Sequence, residues 1–272
     1  MISRSAAAST SITELPGLIA WKRKQRAADP TYFDPDGLMC FTGPQGSGKT
    51  LAAVEYVRRL MKLYPKAKLV TNVVIKGYEP VPFEEWIRTR KRGGKKALET
   101  FNQWPEELQK RWHTAYEAIN RVFWFQDADD LQRYKNSTEG TIYLIDEVQL
   151  YLNSLQSKSI PLEVMAEISQ QRKQRCHIVC TSQVWGRLAK PLREQFSCAA
   201  VCRCFFGVVT RVQYVRQEDL ATDDDVTAIH GKVYHTQWLW HTPRLYTQYD
   251  TYQKIERGHF IAQGGSIYDR NN

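Results

Sequence analysis

No run of about eighteen apolar residues occurs anywhere in the chain, so no segment reads as a membrane-spanning helix. The nearest stretch, Cys198 to Thr210, is short, is broken by Arg203, and reads as buried strand. Near the N-terminus Thr10, Ser11, Thr13 and Glu14 interrupt the apolar residues, so a secretory leader is not expected. No internal repeat is visible, and low complexity is confined to the Ser/Ala-rich start. Zinc-ligand spacing is missing as well. Cys198-x-x-x-Cys202-x-Cys204 fits no common pattern, and Cys40, Cys176 and Cys180 add none. The cysteines read as reduced, small apolar residues in a cytoplasmic protein, with a metal cluster as the alternative. Acid is also scarce relative to base: 29 Asp and Glu face 38 Lys and Arg, a formal charge of +9. That balance favours a polyanionic partner, with nucleic acid the first candidate. At 272 residues and 42% hydrophobic content, the chain is long and apolar enough for one large domain with an insertion.

What is present is concentrated in three places. Residues 43 to 50 read Gly43-Pro44-Gln45-Gly46-Ser47-Gly48-Lys49-Thr50, a complete G-x-x-x-x-G-K-T loop. The apolar run Leu38 to Phe41 precedes it, and a helical pattern from Leu51 to Leu60 follows. Glycines let the chain curl so that backbone N–H groups point at phosphate oxygens, where the positive end of the helix dipole adds to the field. Lys49 is expected to reach the β- and γ-phosphates and the Thr50 hydroxyl to ligate Mg²⁺. Next, Thr141 to Ile145 forms an apolar strand ending in Asp146-Glu147. Asp146 is expected to hold Mg²⁺ and Glu147 to polarise the attacking water, which means hydrolysis rather than binding alone. Third, His177 to Ser182 ends in Gln183, a position suited to an amide that senses the γ-phosphate. Before that strand, Gln170-Gln171-Arg172-Lys173-Gln174-Arg175 closes a helix. Its cations either complement the helix C-terminus, or Arg172 or Arg175 reaches a neighbouring subunit's γ-phosphate as an arginine finger. The guanine-reading Asn-Lys-x-Asp element is absent, so ATP is expected. A nucleotide-kinase lid of clustered arginines is absent too.

The order of phosphate loop, Ile145-Asp146-Glu147-Val148-Gln149, Gln171-Arg172-Lys173-Gln174-Arg175 and Thr181-Ser182-Gln183 resembles the FtsK/HerA division of P-loop motor ATPases. In particular it resembles the zonular occludens toxin-like and viral genome-packaging branch. Thr71-Asn72 and the segment Phe125 to Leu131 add to that likeness, which covers roughly residues 35 to 206. The resemblance implies an α/β, RecA-like P-loop NTPase with a mostly parallel sheet flanked by helices. It implies assembly into a homo-oligomeric ring, a hexamer or similar, and work on DNA or on virion extrusion. Capsid or membrane assembly proteins are the implied protein partners. The filamentous-phage members typically carry a membrane anchor, whose absence here favours a packaging motor or translocase over extrusion. The alternative is an assembly or secretion ATPase that remodels protein partners.

Along the chain, residues 1–30 read as a basic arm, with Lys22-Arg23-Lys24-Gln25-Arg26 at its end. Residues 31–206 form the expected core, with Lys68 to Ile75 as its second strand and an insertion at about 78–120. That insertion holds Arg88-Thr89-Arg90-Lys91-Arg92-Gly93-Gly94-Lys95-Lys96, either a solvated loop or a sequence-tolerant phosphate contact. Its Trp104 and Trp112 are expected to cover a small core. After Gln183, Arg187 and Arg193 stand as possible DNA contacts or as surface charge. Residues 207–272 are expected to extend from the core and pack on it through Trp238, Trp240 and several tyrosines.

Overall fold

The computed structural model describes residues 15–29, 31–35, 37–90, 100–127, 129–134, 138–151, 173–220 and 231–249. One eight-stranded sheet organises the chain, in the order β3-β2-β4-β5-β1-β6-β7-β8. The strands are β1 (Leu38–Thr42), β2 (Lys68–Thr71), β3 (Val122–Trp124), β4 (Thr141–Ile145), β5 (Cys176–Ser182), β6 (Phe196–Phe205), β7 (Val209–Arg216) and β8 (Val233–Trp240). The first six run parallel; β7 and β8 add antiparallel to β6. Among the described residues, the helices of eight residues or more are α1 (Leu15–Ala28), α2 (Lys49–Leu63), α3 (Phe83–Arg90) and α4 (Glu106–Ile119).

Alternation along the strands explains why both faces must be covered. Met39 and Phe41 of β1, with Ile142 and Leu144 of β4, point to one side, where they meet Leu51, Val54, Val57 and Met61 of α2. Leu38, Cys40, Tyr143 and Ile145 point to the other, where Trp86, Tyr116 and Trp185 cover them. Parallel strands with apolar residues on both faces cannot be left open to water.

The insertion builds its own aromatic roof from α3 and α4. Phe83 stacks on His113 at 4.0 Å, and Trp112 meets both Trp86 and Trp104 edge-on at 5.7 Å. Trp104 and Trp112 therefore pack on the core rather than standing free. The basic residues Lys91, Arg92, Lys95 and Lys96 lie outside the described residues, as does the side chain of Arg90.

Two elements differ from the sequence expectation. The second strand stops at Thr71 rather than Ile75, because the Thr71 hydroxyl takes the Val73 N–H that a longer strand would give to its neighbour. Trp238 and Trp240, expected to dock on the core, are 53% and 67% exposed, while Leu239 and Leu245 provide the docking. Among the described residues no helix is long and apolar enough to cross a membrane. All six cysteines are free thiols; only Cys204 is not fully buried.

Candidate nucleotide-binding and hydrolysis site

The strand order decides which side chains can meet. β5 lies between β1 and β4, so the loop after β1 faces the acidic pair after β4 across the end of β5. Gly46 and Gly48 hold φ of +76° and +82°, a backbone region that side chains disfavour. At Gly48 space is also lacking, since an added Cβ would lie 2.1 Å from the Thr210 hydroxyl oxygen of β7. Gly48 ends in the first turn of α2, which no side chain caps. Its free N–H groups and dipole are open to an anion. Ser47 Oγ is buried without a hydrogen-bond partner, an orphan that a phosphate oxygen would satisfy.

Asp146 is the most heavily coordinated group of the site. Its Oδ1 accepts hydrogen bonds from Thr50 at 2.9 Å and Thr181 at 2.6 Å. Its main chain is clamped by one side chain: Asp146 N donates to Asn72 Oδ1 at 2.7 Å, and Asn72 Nδ2 donates to the Asp146 carbonyl at 2.9 Å. Burial pushes the Asp146 carboxyl above the usual aspartate range, and the two threonine hydroxyls pull it partly back. A hydroxyl and a carboxylate converging on one point are hard oxygen donors. They fit Mg²⁺, which takes few protein ligands and completes its shell with water and phosphate. Among the described residues no three-ligand His/Cys/Asp/Glu cluster competes for a metal.

Glu147 faces a different way. It sits at φ +52°, and its N–H donates to Thr181 Oγ1 at 2.9 Å. The left-handed turn aims the carboxylate at Lys49, whose Nζ lies 3.1 Å from Glu147 Oε1. Gln183 Nε2 donates to the same oxygen at 3.1 Å, and Gln149 Nε2 donates to Oε2. Lys49, Thr50, Asp146, Glu147 and Gln183 thus form one connected set. The tip of the loop, Pro44-Gln45-Gly46, is exposed beside it, whereas Gly43 is tucked against the Cys202 carbonyl of β6.

Only one of the two candidate arginines is among the described residues. Arg172 lies outside the described residues. Arg175 precedes β5, at the sheet edge opposite the phosphate loop, and donates to the carbonyls of Thr138 and Thr31. Arg193 has a buried Nε without a partner, and the side chain of Arg187 is outside the described residues.

Three contributors were not assigned roles from sequence. Asn72 was noticed only as part of a motif, yet it fixes the Asp146 backbone. Thr181 bridges Asp146 and Glu147. Thr210 hydrogen-bonds the Ser47 carbonyl at 3.3 Å and lies 2.8 Å from His241 Nε2. Their short polar side chains carry no signal in isolation; strand pairing alone brings them here.

A glycine-rich loop on the N-terminus of a helix, and an acidic pair after a strand separated from it by one more parallel strand, define an α/β fold of the RecA-like P-loop NTPase class. No protein-family model and no curated protein sequence matches the chain. Solved structures do. The N-terminal domain of zonular occludens toxin from Neisseria meningitidis is 17% identical, with a TM-score of 0.45, over 80% of this chain and 100% of that one. The genome packaging NTPase of Sulfolobus turreted icosahedral virus 2, in complex with ATP-gammaS, is 12% identical, with a TM-score of 0.41, over 62% of this chain and 75% of that one. The flagellar accessory protein FlaH from Methanocaldococcus jannaschii is 11% identical, with a TM-score of 0.36, over 66% and 78%.

Proposed function

We propose that the chain is a Mg²⁺-dependent ATPase motor that moves DNA, as a packaging ATPase or translocase of a virus or mobile element. The observation that carries the hydrolytic half is the separation of the two carboxylates. Asp146 turns to the Thr50 hydroxyl, the position for a metal, while Glu147 turns to Lys49 and Gln183, the position for a γ-phosphate and its attacking water. In this reading Lys49 and the amides of residues 43–50 hold the phosphates, and Thr50 and Asp146 hold Mg²⁺. Bound Mg²⁺ would neutralise charge on the β- and γ-phosphate oxygens. Glu147 takes the proton of the attacking water, and Gln183 reports whether the γ-phosphate is present. Arg172 or Arg175 of a neighbour supplies the finger in a ring.

DNA as the moved polymer is supported by the +9 charge, by the basic run at 88–96, and by the motif order that resembles the packaging branch. Steady-state ATPase activity with and without single- and double-stranded DNA tests it, with Glu147→Gln as the blank. Stimulation by DNA that declines with salt is the expected result. Clear activity indifferent to both DNAs would sink the translocase and leave a motor that remodels proteins.

A further inference from the structure

Among the described residues nothing covers one face of the antiparallel end of the sheet, and the chemistry of that face is one-sided. β6, β7 and β8 turn Cys202, Val212, Tyr214 and Leu239 toward the α2 side. Alternation sends Arg203 and Phe205 of β6, Arg211 of β7, and Trp238 and Trp240 of β8 to the other face. Arg203 stands directly opposite Arg211, and Arg211 directly opposite Trp238. Both guanidinium carbons lie 5.4 Å from the Phe205 ring centroid, and that ring lies 6.0 Å from Trp238. Like charges paired across strands destabilise a sheet unless something neutralises them. No Asp or Glu lies within β6, β7 or β8 themselves; the nearest acids of the described residues in sequence are Glu194, Glu218 and Asp219, of which Glu218 pairs with Arg216. Arg211 Nε is buried without a hydrogen-bond partner.

The hairpin tip adds a second, independent signal. Phe206 and Gly207 have φ of +53° and +69°, and Val208 N bonds to the Phe205 carbonyl at 3.1 Å. Such a turn prefers Asn at its first central position, and a bulky aromatic there is strained. Phe206 is 95% exposed, so nothing within the described chain repays that strain.

We propose that this face is a platform for single-stranded nucleic acid, with bases stacking on Trp238, Trp240 and Phe206 and phosphates meeting Arg203 and Arg211. Guanidiniums paired across strands that carry no carboxylate of their own call for a polyanion, and exposed indole rings call for planar partners. Single strands offer both together, whereas duplex bases are already stacked on one another. A second copy meeting this face with its own would set arginines against arginines. The inference rests on the reading of the chain as a nucleic-acid motor for its place in the cycle, but the binding needs no ATP.

The test uses the full chain and fluorescein-labelled oligothymidylate, read by anisotropy and by quenching of tryptophan emission. Trp238→Ala should weaken binding about tenfold or more. Trp238→Phe should recover most of it, and Arg203→Gln should reduce the salt slope by about 0.7. Unchanged affinity in Trp238→Ala and Arg203→Gln, or equal affinity for duplex of the same length, overturns the platform. So does a shift in sedimentation that accounts for the lost binding, since the face would then join subunits. ATPase assays of the same variants separate the two readings. Binding that depends on Trp238 without DNA-stimulated hydrolysis removes the motor and keeps the platform. DNA-stimulated hydrolysis with unaltered Trp238→Ala binding does the reverse.

Discussion

Glu147 is held by Lys49 in this structure, so the phosphate-binding cation and the carboxylate neutralise each other. In the proposed cycle an incoming γ-phosphate would compete for Lys49 and so release Glu147 toward water. Glu147→Gln removes the competing charge, and ATP binding should be retained or tightened. Turnover should fall by about 10²- to 10⁴-fold, the usual worth of a positioned base. Isothermal titration beside steady-state turnover checks both, and a variant that loses binding as well would show Glu147 to be structural. A second residue carries a pH signal. Burial against Phe83 and Phe101, followed by the nearby Arg133 charge, lowers the affinity of His113 for a proton. Its folded value lies below the unfolded one, so the stabilising neutral form is fully present above about pH 6.5. That contribution is lost as pH falls below the unfolded value, because the unfolded chain takes up the proton first. Thermal midpoints should therefore drop between pH 7 and 5, and His113→Gln should flatten that part of the profile.

At the scale of elements, β4 bears the acidic pair and is buried on both faces, with Leu144 fully inaccessible. Leu144→Ala should cost about 2–5 kcal/mol through lost transfer energy and a cavity. Denaturant midpoints read the loss, and a cost under about 1 kcal/mol would mean that α2 can close over the gap. β1, β4 and β5 were legible from sequence, because each is an apolar run ending in chemistry at fixed spacing. The loop's G-x-x-x-x-G-K-T pattern was legible for the same reason, and the structure brings Asp146, Glu147 and Gln183, which follow β4 and β5, into one hydrogen-bonded set with Lys49 and Thr50. Strand order was not. The clamp of Asn72 on Asp146 spans 74 residues, and the contact of Thr210 with Ser47 spans 163. No local pattern encodes either. The early end of β2 was hidden for a related reason: Val73, Val74 and Ile75 have strong strand propensity, yet a single threonine hydroxyl redirects the backbone. β8 was misjudged because aromatic residues are ordinarily read as core, whereas an edge strand with one open face can leave its tryptophans in solvent.

For the whole molecule, the decisive quantity is how much positive charge one chain can bring to a transferring γ-phosphate. Lys49 is the cation that pairs within the site among the described residues. Arg175 is occupied by carbonyls at the far sheet edge. Phosphoryl transfer spreads charge over three oxygens, and a further arginine is worth about 10³-fold or more in systems that use one. If that arginine comes from a neighbour, specific activity should rise steeply with protein concentration as rings assemble, and dilute monomer should be nearly silent. Mixing separates the roles of the two arginines. Lys49→Ala subunits keep their arginines but cannot bind phosphate, while Arg172→Ala subunits keep the phosphate site. Each should be inactive alone, and an equimolar mixture should regain part of the wild-type rate. Arg175→Ala should instead lower the thermal midpoint, because it frees two carbonyls that hold the N-terminal edge of the sheet. Rescue of Arg175→Ala rather than Arg172→Ala by the Lys49→Ala partner would reassign the finger. Activity strictly proportional to concentration down to the monomer would eliminate a trans-acting arginine altogether.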